Sequence, residues 1–103
     1  MFTVQHRIDC GLGIYNHVDE STVKYFSRIF GKQLNNNDFA YAAHDSSLWV
    51  KVNSISEAEK IIGKRLKRCY VDCDYDGKGN ITAIWVNTYC FHRGYTKILH
   101  VAI

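Results

Sequence analysis

Proline is absent from the 103 residues, no linker composition interrupts them, and no internal repeat is visible. A chain of this length suits one domain, so residues 1–103 read as a single α+β unit. No apolar run approaches the ~18 residues that a membrane-spanning helix needs. The opening "MFTVQHRIDC" has neither the basic start nor the long apolar centre of a secretion signal. These absences lead to the expectation of a soluble, cytoplasmic protein whose four cysteines, Cys10, Cys69, Cys73 and Cys90, are free thiols.

Metal chemistry is also thinly supported. Cys69 and Cys73 lie four apart in a predicted strand, roughly 13 Å at ~3.3 Å per residue, too far to share one ion. Cys90 and His92 could meet at a strand end, but no CxxC pair supports them. No metal or other cofactor is expected. The net charge of +3 is too small to force strong nucleic-acid binding. Asn, Ile, Lys and Tyr are frequent, and their codons are AT-rich, a composition that suits a small gene of a phage or mobile element.

What is present is globular. Hydrophobic residues make up 47% and charged residues 22%, enough to bury a core, though not a deep one. "FTVQHRI" alternates apolar and polar residues as a half-buried strand does. Asp19 then offers an N-cap, with Val18 and Val23 spaced as a hydrophobic staple across it. Val23, Phe26, Phe30 and Leu34 form the apolar stripe of the helix that follows. "DFAYAAHDSSLWVKV" predicts two short strands around a turn, with Leu48, Val50 and Val52 facing the core. A second helix starts near Ser54 or Ser56, each followed three residues later by glutamate. Ile55, Ala58, Ile61, Ile62 and Leu66 make its buried face. Strands over about 68–75, 80–90 and 95–103 complete the order β-α-β-β-α-β-β-β. The first six elements follow the ferredoxin-like order, with extra C-terminal strands. An antiparallel-rich sheet with both helices packed on one face is the expected architecture.

"YVDCDYDGKGN", residues 70–80, is the most functional-looking stretch. Asp72, Asp74, Asp76 and Gly77 match the first ligand positions of a calcium loop, but Ala83 stands where its bidentate glutamate belongs. A hairpin fits better. Gly77-Lys78 as a two-residue loop would pair Val71 with Ile84 and Cys73 with Thr82. Cys69, Val71, Cys73, Ile84 and Val86 then share the core face. Tyr70, Asp72, Asp74, Trp85 and Tyr89 gather on the other face, an aromatic-acidic patch of the kind that marks a partner surface. Asp72 and Asp74 are also the pair that a divalent-metal-dependent nuclease would use, with a lysine or His92.

Two smaller patterns read as turns. "HDSS" at 44–47 holds the residue types of a hydrolase triad, but sequence neighbours rarely converge into one. "GLG" at 11–13 lacks the fuller glycine pattern of a phosphate loop. The basic residues are better ordered. Lys24 and Arg28 are expected on the outer side of the first helix, with Lys60, Lys64, Lys67 and Arg68 along or ending the second. Together they make a surface suited to phosphates. The aromatic-rich motif of the RNA-recognition module of this topology is absent.

Two functional readings follow. In the first, the chain is a small non-catalytic interaction protein that binds and inhibits another protein. An inhibitor of host nucleic-acid machinery is one form, with Tyr70, Asp72, Asp74, Trp85 and Tyr89 as contacts. In the second, DNA or RNA binds directly to the basic helix surface. An enzyme, in the form of the nuclease, stands third. A homodimer through a sheet edge would satisfy exposed strand edges in any of these cases.

Overall fold

The spacing of Val23, Phe26 and Phe30 produces the expected helix, α1, over Glu20–Phe30. The computed structural model describes residues 13–14, 18–42 and 47–91. The strands expected at 2–8 and 95–103, Cys10, His92, most of "GLG" and most of "HDSS" lie outside the described residues. Asp19 is the residue before α1, but its side chain does not cap the helix; its Oδ2 accepts from Ser21 Oγ at 2.8 Å instead. Gly31, at φ 66°, ends α1 in the left-handed region that favours glycine. Leu34 therefore lies beyond the helix, not on its stripe, yet it is buried.

Strands β1 (Gly13–Ile14), β2 (Phe39–Ala42) and β3 (Ser47–Val52) precede helix α2 (Ile55–Ile62). Ser54 caps α2, its Oγ accepting the Glu57 N–H at 3.0 Å. Glu57 reaches back to the Asn53 N–H at 3.3 Å, one residue earlier than a capping box would place it. Strands β4 (Val71–Tyr75) and β5 (Ile81–Asn87) follow. The sheet order is β1-β2-β3-β5-β4, and every pairing is antiparallel. The likeness to the ferredoxin-like arrangement is therefore one of element order, not of strand pairing.

Both helices pack on the same face of the sheet. Phe26, Leu34, Phe39, Leu48, Val50, Val52, Ala58, Ile62, Val86 and Phe91 form one buried cluster there. Phe26 sits at its middle, edge-to-face with Phe39 at 6.0 Å and with Phe91 at 5.8 Å. The opposite face is buried as well. Ala40, Ala42, Trp49, Ala83 and Trp85 form a second cluster in which small alanines make room for two indoles. β2 and β3 are thus covered on both sides, as "FAYA" and "SLWV" require: neither alternates cleanly with polar residues. Among the described residues, no helix is long and apolar enough to cross a membrane.

The β4–β5 hairpin keeps the expected faces but not the expected register. Val71 pairs with Val86, Asp72 with Trp85, Cys73 with Ile84 and Asp74 with Ala83. That is a slip of two residues from the predicted pairing, which preserves which side chains share a face. The cause lies in the loop. Asp76 closes it, its Oδ1 accepting N–H bonds from Lys78 at 2.8 Å and Asn80 at 2.9 Å. Gly79, not Gly77, takes the positive φ, at 85°. The loop therefore spans Gly77–Gly79, one residue longer than predicted, and a register shift beside Tyr75 adds the second residue of the slip.

Candidate functional site

The aromatic-acidic face does not hold as an exposed surface at its centre. Trp85 and Asp74 are both 0% exposed. The Trp85 indole donates from Nε1 to Asp74 Oδ2 at 2.9 Å, and the Lys51 ammonium lies 5.4 Å from its ring centroid. The reason is the second apolar cluster: once Ala40, Ala42, Trp49 and Ala83 are buried, Trp85 at their side is core and its N–H needs a buried acceptor. Asp74 supplies it across the β4–β5 pair. With both fully buried, neither residue is open to a partner. Asp72 is half-buried and its Oδ1 accepts the Cys73 N–H at 2.8 Å.

The three aspartates each bond a different group. Asp74 faces an indole, and Asp76 spends its carboxylate on the hairpin loop. The N–H donors of Asn80 and Lys78 hold the Asp76 carboxyl below its ordinary range. Among the described residues, no group of three or more His, Cys, Asp or Glu side chains is placed to hold a metal ion.

The remaining predicted residues regroup elsewhere. α2 ends at Ile62 because Gly63 takes φ 82°, so Lys64, Lys67 and Arg68 do not lie on the helix. They lie instead on the segment after it, which leads through a 3-10 turn, Arg68–Tyr70, into β4. Glu59 braces that segment: its Oε2 accepts the Leu66 N–H at 2.8 Å, tying the loop back to α2. Tyr70 belongs to the 3-10 turn, and Tyr89 to a second turn, Thr88–Phe91, that follows β5. Thr88 anchors this second turn, its Oγ1 donating to the buried Leu48 carbonyl at 2.8 Å.

These segments meet at one groove of about 160 Å³, lined by Ile62, Lys64, Arg65, Leu66, Lys67, Tyr70, Tyr89 and Cys90. Ile62 and Leu66 make an apolar floor. Lys64, Arg65, Lys67 and the adjacent Arg68 are exposed, and Tyr89 is 45% exposed. The carbonyl end of α2 contributes roughly half a negative charge nearby. Four cations within residues 64–68 exceed it severalfold, so the rim is electropositive. Burial pushes the Cys90 thiol up to about 11, and the nearby Lys64 ammonium only partly opposes this.

The other basic residues stand apart from the groove lining. Lys60 is exposed on α2. Lys24 pairs with Glu20 at 3.3 Å on the surface of α1, a contact worth little, and the Arg28 guanidinium lies 5.8 Å from the Tyr25 ring centroid. The grouping of Tyr70 and Tyr89 with the basic segment was not visible in the sequence, which placed both tyrosines on strands beside Trp85. The signal that could have exposed it is Gly63: a glycine eight residues after Ile55 ends the helix before "KRLKR" begins. No protein-family model, no curated protein and no solved structure matches this chain.

Proposed function

We propose that this chain is a non-catalytic binding domain that holds nucleic acid in the groove between the segment after α2 and the turn after β5. One observation carries the reading: Lys64, Arg65 and Lys67 share a single groove with Tyr70 and Tyr89. Cations supply phosphate contact, and tyrosine rings supply a surface that a base can cover. The residues come from four predicted contacts, Lys64, Lys67, Tyr70 and Tyr89, with Arg65 added; Arg68 lies at the rim. The three described cysteines are free thiols, in keeping with a cytoplasmic setting.

Binding of labelled random-sequence DNA and RNA, followed by anisotropy at several salt concentrations, tests this. Each phosphate contact on a single strand should contribute about −0.7 to the slope of log K against log salt. The double variant Lys64→Glu with Lys67→Glu should weaken binding at least tenfold and flatten the slope by more than about 1.4. Equal binding by parent and variant would end the proposal.

A protein partner is the second reading, favoured by β4. Among the described residues this strand is the last in the sheet order; it ends at Tyr75, 42% exposed, which pairs with Ile81 of β5, 55% exposed. A partner strand added along β4, from another protein or a second copy of this chain, would cover both. Tyr75→Asp should abolish that complex and leave nucleic-acid binding as it was.

A further inference from the structure

We infer that the groove takes an unpaired nucleotide, with its base against Tyr89 and its phosphates on Lys64 and Lys67, so that the preferred ligand is single-stranded. The inference rests on the nucleic-acid reading and narrows it. Three observations carry it.

The first is where the cations sit. Duplex readers typically lay a helix or a two-stranded ribbon into a groove about 12 Å wide. Here the clustered cations follow the Gly63 cap and ride on a loop and a single 3-10 turn. α2 itself carries only Lys60. The basic group therefore has no rod-like element to insert into a duplex.

The second is the shape of the site. The groove is a local recess of about 160 Å³, room for one planar ring and its substituents and not for a paired duplex edge. An unpaired base can turn out of its strand into such a recess, whereas a paired base is held in its stack.

The third is the pair of tyrosines. Tyr89 exposes 45% of its surface in the groove that Lys64 and Lys67 also line, while Tyr70 is half-buried there. An exposed ring beside cations offers a base a stacking surface together with the charge to hold its phosphates. Such stacking tolerates every base, so little sequence preference is expected. The Glu59 bond to the Leu66 N–H limits the freedom of the cation-bearing loop before the ligand arrives.

The test uses a labelled 15-nucleotide single strand in DNA and RNA forms, the same DNA annealed to its complement, and heparin as a polyanion without bases. The parent protein should bind the single strands at least tenfold tighter than the duplex. Tyr89→Leu should weaken single-strand binding by about 5- to 100-fold and leave heparin binding unchanged. Tyr89→Phe keeps the ring and should keep the affinity. Equal affinity for duplex and single strand would overturn the inference. So would a Tyr89→Leu protein that binds single strands like the parent, or one that loses single strands and heparin alike. The Lys64→Glu, Lys67→Glu variant separates the two ideas. If it weakens every polyanion while Tyr89→Leu does nothing, the nucleic-acid reading stands and the single-strand inference fails. If it changes nothing, the nucleic-acid reading itself fails.

Discussion

Replacing Trp85 with alanine should remove much of the stability of the protein, not detach a partner from a folded one. The indole is 0% exposed, and truncating a buried Trp or Phe to alanine costs about 3–5 kcal/mol. Small domains hold only about 5–15 kcal/mol in total. A second variant separates packing from hydrogen bonding. Trp85→Phe keeps most of the ring but deletes the N–H that reaches Asp74 Oδ2 at 2.9 Å. A buried acceptor deprived of its donor costs about 1–3 kcal/mol. For a domain of this size each kcal/mol moves the Tm by about 4–8 °C. Trp85→Phe should therefore lower the Tm by at least about 4 °C, and Trp85→Ala by at least about 12 °C. Combining Trp85→Phe with Asp74→Asn should cost less than the sum of the two, because both changes strike the same contact. The assay is thermal and urea unfolding read by far-UV circular dichroism, which does not depend on the indole being replaced. A Trp85→Ala protein melting within about 2 °C of the parent would refute the burial of this side chain and return it to the surface.

Two further predictions concern the hairpin and the groove. Gly79→Ala should destabilise by about 1–2 kcal/mol, since φ is 85° there and nothing within 4 Å meets the added Cβ, while Gly77→Ala should be nearly silent in urea unfolding; the reverse ranking would restore the two-residue loop. Because burial raises Cys90 from 9.0 to about 11, the folded protein keeps a proton in that window which the unfolded chain gives up, so stability is whole below about pH 9 and falls as pH rises towards 11. Melting temperatures across that range should show the decline, and Cys90→Ala should flatten it.

Much of the architecture was legible because local rules and packing agreed. The α1 stripe as far as Phe30, the Ser54 cap and the inward set Leu48, Val50 and Val52 depend on periodicity and capping chemistry, and each appears where the pattern placed it; Leu34 is buried from beyond the helix end. The two-residue slip of the hairpin was not legible. Both registers put the same side chains on the same face, so the hydrophobic pattern could not choose between them, and the choice fell to the loop that the Asp76 carboxylate closes and to the register shift beside Tyr75. The burial of Trp85 was hidden for a related reason. Alternation in β4 and β5 suggests one wet face, and only β2 and β3, apolar on both sides, show that the sheet is covered twice. The groove was least visible of all. It joins residues 62–70 to residues 89–90, and a sequence read element by element gives no weight to what two turns bring together.

The two faces of the sheet have an optical consequence. The chain contains two tryptophans, and both Trp49 and Trp85 lie in the second apolar cluster. The proposed ligand site contains tyrosines and no tryptophan. Indole emission is therefore a gauge of whether the second face is intact, and, since two of the seven tyrosines line the groove, the part of the tyrosine signal that Tyr89→Leu removes is a gauge of whether the groove is filled. A ligand that dims tyrosine while the indole spectrum stays still has bound without disturbing the core. One that shifts the indole spectrum has loosened the sheet, whatever its apparent affinity.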